Sequence, residues 1–223
     1  MTSVMVKTLC NLEWHRLKGV VVLLSAGYTL FAVISGLYSY GQAPFVEMIY
    51  EMLFIALPFL AGLVLSAGMI SGDAAENIQP LILSQPVSRS SLWLTRMVFR
   101  LMLFLLVMLL WLSLNQLFPL KAYPAPLSKL FLTGILMFCI GLIVTNITRS
   151  SFESAIIAGT SGIIIMTLLR DTWFATIVLI PVLAVAARDL FVSREPLEWQ
   201  ALMKRMACWF LGILIFILIM TFV

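Results

Sequence analysis

Charge is scarce in this chain. Of its 223 residues only 11% are charged, while 62% are hydrophobic, against roughly 25% charged in a soluble domain. Half that supply cannot cover a water-facing surface. Histidine is scarcer still: His15 is the only one, which excludes a haem or zinc site built from several histidines and leaves His15 as a surface residue. Cys10, Cys139 and Cys208 lie in separate segments without metal-type spacing, so they are expected to be reduced, buried and apolar in character. No glycine is followed by lysine. A GxxxxGK[ST] loop is therefore absent, and the chain has no nucleotide site of that kind. Alternation typical of a membrane barrel, repeats of 20–50 residues and low-complexity linkers are also missing, so 1–223 is expected to form one domain.

What the chain has is apolar length. The mean hydropathy is +1.10, and apolar runs occupy about 19–40, 48–71, 92–118, 128–148, 154–169, 172–187 and 206–223. A helix needs about 20 residues to cross the hydrocarbon of a bilayer, and backbone groups in lipid must be bonded internally. The expected fold is all-α: a polytopic helical membrane protein of six to seven spans. Runs five and six are short and meet at Arg170-Asp171. A single helix over 154–187 would hold that pair at mid-bilayer, which is costly, so a hairpin is expected, either crossing fully or re-entrant.

Lysine and arginine set the sidedness. With the N-terminus cytoplasmic, eleven basic residues lie inside (Lys7, Arg16, Lys18, Arg89, Arg96, Arg100, Arg149, Arg188, Arg194, Lys204 and Arg205). Three lie outside (Lys121, Lys129 and Arg170). The net charge of +4 is thereby explained by helix ends, and no nucleic-acid partner is expected. Arg96 and Arg100, one turn apart, are expected to reach out to the cytoplasmic headgroups. The expected location is the cell (inner) membrane.

Residues 1–18 show no cleavage site of a signal peptide. Their apolar positions, Met5, Leu9 and Leu12, share one helical stripe, with Trp14 and Arg16 beside them. That pattern suits an interfacial helix lying flat on the cytoplasmic surface before a turn at Gly19, or else an extension of the first span. Glu47 and Glu51 stand four apart at the outer end of the second run and are read as solvated. Gly62 with Ser66, Gly141 with Thr145, and Gly159 with Gly162 give small-residue spacings that let helices approach closely. Pro58 and Pro181 interrupt two spans.

The segment 73–90, GDAAENIQPLILSQPVSRS from its preceding glycine onward, is unusual for a turn. Asp73 and Glu76 lie where a helix macrodipole favours acid. Ile78, Leu81 and Ile82 recur at helical spacing, Pro80 fits a first turn and Pro86 ends the element. A short amphipathic cytoplasmic helix between spans 2 and 3 is expected, with an apolar face fit for a groove on a partner or for the membrane surface.

Glu76, Leu81, Leu83, Pro86, Val87, Ser88 and Arg89 resemble the first cytoplasmic loop of ABC-2-type permeases, the membrane subunits of ABC exporters. The AARDLFVSRE run near 187–195 is similar to the family too. Two departures stand out: Asn77-Ile78 replaces a Gly-Thr-like pair, and a further apolar run follows RDLF, where many members stop. The resemblance implies a coupling helix, with Asp73, Glu76, Ile78, Leu81, Ile82, Leu83, Pro86 and Arg89 facing a separate ABC ATPase subunit. It also implies a second permease subunit, identical or paralogous. The chain would be no enzyme and bind no cofactor; ATP and Mg would sit on the ATPase. A hydrophobic or amphipathic cargo would leave the cytoplasm by alternating access. The competing classes are an ion-coupled secondary transporter and a non-transporting membrane assembly or immunity protein.

Overall fold

A computed structural model describes residues 3–38, 56–67, 88–117, 127–146, 148, 151–168, 173–192 and 199–222. No strand occurs among the described residues. Among the described residues seven helices follow one another: α1 (Ser3–Tyr38), α2 (Ala56–Ser66), α3 (Arg89–Leu117), α4 (Leu127–Val144), α5 (Ser151–Leu168), α6 (Trp173–Val192) and α7 (Trp199–Phe222). Within these, Val6–Ile34 and Arg89–Leu114 are long and apolar enough to cross a membrane, while Ala56–Ser66, Ser128–Val144, Phe152–Ile165 and Ala207–Phe216 are shorter apolar stretches. Helix α5 ends at Leu168 and α6 begins at Trp173; Arg170-Asp171 lies outside the described residues.

The expected turn at Gly19 is absent. Helix α1 is unbroken over 36 residues, about 54 Å at 1.5 Å per residue. The reason lies in register. Leu9, Glu13, Leu17 and Val21, spaced four apart, are all buried, and Tyr28 and Ala32 continue the same stripe. One face therefore packs along α3 from before Gly19 to well after it, and a turn there would tear that face in two. Leu12 is half-buried and Trp14 exposed.

Two buried clusters share the bundle. One joins α1, α2 and α3, with Phe104, Met108 and Trp111 at its centre and Phe104 ringed by Phe131 and Phe138 of α4 at 6.3 and 5.8 Å. The other gathers α5 and α6 around Leu136, Met137 and Ile140 of α4. Helix α4 thus carries both neighbours. Its small residues make this possible. A Cβ on Gly62 would land on the carbonyl of Gly134, one on Gly141 on the Ser66 hydroxyl, and one on Gly162 on the Met137 sulfur. Thr145 is fully buried. Gly159 is different: a Cβ there would meet Leu63 at an ordinary 3.7 Å, so it is not a close-approach position.

Among the described residues, many large apolar side chains are exposed while a few charged and polar ones are buried inside the apolar clusters. The exterior presents Leu23, Met102, Leu109, Phe152, Ile164 and Phe210, whereas Glu13, Arg96, Arg100, Asn146 and Ser154 are buried. Four exposed hydroxyls, Ser113, Thr133, Thr160 and Thr167, donate to the carbonyl four residues back in their own helix. That bond satisfies a hydroxyl without water.

Candidate functional site

Among the described residues, the strongest concentration of charge lies where α1, α2 and α3 meet. Arg96 and Arg100, expected to reach for the headgroups, are each only 1% exposed. Both turn inward because a carboxylate waits there. Arg100 Nε donates to Glu13 Oε2 at 2.7 Å and its Nη2 lies 2.6 Å from the same oxygen. Arg96 Nε is 3.4 Å from Glu13 Oε1, and Arg16 Nη1 is 3.9 Å from it. Glu13 is itself fully buried. A lone buried charge would be prohibitive, so the partners come in together.

Arg100 does a second thing. Its Nη1 donates to the carbonyls of Leu65 (3.1 Å) and Ala67 (3.0 Å), with a longer approach of 3.5 Å to Ser66. The last carbonyls of a helix lack intrahelical donors and carry the negative end of its dipole. One guanidinium therefore caps α2 and holds Glu13 of α1 at once, which only a planar fork with donors on several edges can do. Ser66 Oγ donates to Gly62 O at 2.8 Å and to Leu63 O at 3.0 Å, tightening the same last turn.

The start of α3 is fixed just as definitely. Ser88 Oγ accepts the backbone N–H of Ser91 at 3.2 Å and contacts the Ser91 hydroxyl at 2.8 Å, and Leu92 N donates to Ser88 O at 3.1 Å. This is an N-cap. Arg188 of α6 donates to the Ser90 hydroxyl from Nε at 3.2 Å and Nη2 at 3.0 Å.

Arg188 belongs to a three-residue hub. The Ala187 carbonyl accepts Asn146 Nδ2 from the end of α4 at 3.4 Å, and Asn146 Nδ2 also donates to Leu142 O at 2.8 Å. Asp189 Oδ2 accepts Trp209 Nε1 of α7 at 3.0 Å. Through the Ala187 backbone carbonyl and the Arg188 and Asp189 side chains, 187, 188 and 189 reach the end of α4, α3 and α7 in turn.

The consequence concerns the segment between α2 and α3. Asp73, Glu76, Ile78, Leu81, Ile82, Leu83 and Pro86 lie outside the described residues, as do Glu47 and Glu51. Arg89 opens α3 and is half-buried. Both flanks of 68–87 are tied down: Ala67 by Arg100, and Ser88 to Ser90 by the cap and Arg188.

Sequence reasoning missed Glu13 and misread the two arginines. A signal was present: Glu13 is the only carboxylate before Glu47, and it sits in register with Leu9, Leu17 and Val21. His15 is exposed, with Lys18 Nζ 3.3 Å from its Nδ1. Cys139 is buried, but Cys10 is half-buried and Cys208 exposed, correcting the expectation of three buried thiols; all three are free. Cys208 lies on the exposed face of α7, in register with Lys204, Leu211 and Ile215. Among the described residues no group of His, Cys, Asp and Glu could hold a metal. Comparison of the chain with family models, with curated proteins and with solved structures gives no match.

Proposed function

We propose that the chain is the membrane-spanning permease subunit of an ATP-driven exporter of the ABC-2 type. It crosses the cell (inner) membrane six to seven times with its N-terminus in the cytoplasm. A separate ATPase engages the segment carrying Glu76, Ile78, Leu81, Ile82 and Leu83, and a second permease subunit completes the path. Hydrophobic or amphipathic cargo moves outward by alternating access.

The membrane part of this reading is supported by the apolar exterior around buried charge, which is the arrangement lipid favours. The coupling part rests on one observation: the two flanks of 68–87 are anchored by Arg100 and by Ser88 with Arg188. A lever needs fixed ends. Pulling on this one bears on the Glu13–Arg100 bond to α1 and, through Arg188, on the hub of α6. The sequence resemblance of Glu76 through Arg89 points to the same segment. An ion-coupled carrier is less well supported. Among the described residues the most deeply buried carboxylate, Glu13, has three guanidinium groups within 4 Å, and these repel any coupling cation.

The test is co-purification. Tagged wild-type chain, solubilised from its native membrane, is expected to bring down an ATP-hydrolysing subunit. Leu81→Asp is expected to lose it while accumulating in the membrane to the same level, since truncating or charging a buried anchor costs about 2 kcal/mol or more of docking. Retention of the ATPase by Leu81→Asp, or transport by the purified chain alone, would overturn the reading.

A further inference from the structure

Helix α7 carries a feature that the permease reading leaves unused. Asp189, Lys204, Arg205, Cys208 and Trp209 line a groove of about 400 Å³ where α7 leans on α6. Asp189 frames it, accepting Trp209 Nε1 at 3.0 Å on one oxygen and lying 3.6 Å from Arg205 Nη1 on the other. Lys204 is exposed and, among the described residues, has no ion-pair partner. The groove therefore holds two cations against one carboxylate.

The stripe below it is apolar. Lys204, Cys208, Leu211 and Ile215 follow one another at spacings of four, three and four, and all are exposed. A cation heads a strip of hydrocarbon-facing side chains, and an indole, which favours the boundary between headgroup and acyl chain, stands beside it. A soluble anion would match only the top of this arrangement. A molecule with a phosphate above an acyl chain matches all of it.

We propose that this groove seats the headgroup of an anionic phospholipid, its phosphate between Lys204 and Arg205 and one acyl chain along Leu211 and Ile215. The proposal rests on the membrane reading above but not on ATP-driven transport. Basic pockets between helices on the cytoplasmic side hold anionic headgroups by this combination of charge and contact. Trp209, pinned by Asp189, forms the wall against which the glycerol region packs, and the lipid ties α7 to the hub at 187–189.

Quenching of Trp209 tests it. The full-length chain is reconstituted in phosphatidylcholine vesicles containing brominated phosphatidylglycerol or, separately, brominated phosphatidylcholine. The emission that disappears in Trp209→Phe counterparts reports the groove. In the wild type the anionic quencher is expected to be about fivefold more effective at equal mole fraction, the factor one surface cation confers. Lys204→Gln, on an exposed side chain that supports no fold contact, is expected to bring the two quenchers to parity. Lys204→Arg and the distant Lys129→Gln are expected to keep the preference. Equal quenching in the wild type would overturn the proposal, as would a preference abolished by millimolar inorganic phosphate, which marks a free-anion site. A chain that does not enter vesicles at all would overturn the membrane reading itself, and the headgroup seat with it.

Discussion

Replacing Glu13 and Arg100 singly and together separates two roles that one guanidinium combines. Glu13→Gln leaves Arg100 and Arg96, both buried, without the carboxylate that brought them in, at a cost of about 3–5 kcal/mol. Arg100→Gln has a different character. Glu13 keeps Arg96 at 3.4 Å and Arg16 at 3.9 Å, but the Leu65 and Ala67 carbonyls lose their donor, and each orphaned group costs about 1–3 kcal/mol. Independent losses would sum to roughly 5–11 kcal/mol, most of the stability of an ordinary domain. The double variant removes both charges, so only the uncapped carbonyls and Arg96 remain to be settled, and it is expected to fall short of additivity by about 2–3 kcal/mol. Arg100→Lys is expected to behave nearly as badly as Arg100→Gln, because an ammonium cannot hold Glu13 and the end of α2 together. Denaturation with sodium dodecyl sulfate from one mild detergent, followed by circular dichroism, measures all four chains. Additivity within about 0.5 kcal/mol would show that Glu13 and Arg100 do not act as a pair.

Other substitutions probe the remaining joints. Gly62→Ala sets a methyl group against the Gly134 carbonyl, a backbone atom that no side-chain rotation can move, and is expected to cost about 1–3 kcal/mol in the same denaturation. Gly159→Ala, with 3.7 Å to its nearest neighbour, is expected to be neutral or stabilising. Ser88→Ala removes the cap of α3 and is expected to cost about 1 kcal/mol, with Ser88→Asp restoring it. Arg188→Gln cuts an exposed tie to Ser90 and is expected to change stability by less than about 1 kcal/mol. On the permease reading proposed above, it is nevertheless expected to lower stimulation of the proposed ATPase subunit by cargo; unchanged stimulation would remove Arg188 from the proposed coupling path.

Much of this molecule was legible in the order of its residues. Scarce charge and long apolar runs predicted an all-α chain, and the runs beginning near 92, 128, 154 and 172 reappear as α3, α4, α5 and α6 because lipid-like exteriors and internal hydrogen bonding impose the same rule on each segment separately. Small-residue spacing likewise found Gly62, Ser66 and Gly141, since a missing side chain is a local property even when its neighbour is remote. Local rules failed wherever the answer depended on a partner far along the chain. Arg96 and Arg100 look like headgroup-seeking residues until Glu13, 87 positions before Arg100, is brought against them. Glu13 looks like one charge among several near the N-terminus until the unbroken α1 turns it toward α3. A periodic stripe states that a face is buried; it does not state against what, and the sign and direction of a buried charge follow from that second fact alone. Sequence therefore determined the helices and their apolar exterior. Only the packing of α1 on α3 decided that three arginines and a glutamate face inward, because desolvating an ion is tolerable only after its counter-ion has arrived from elsewhere in the fold.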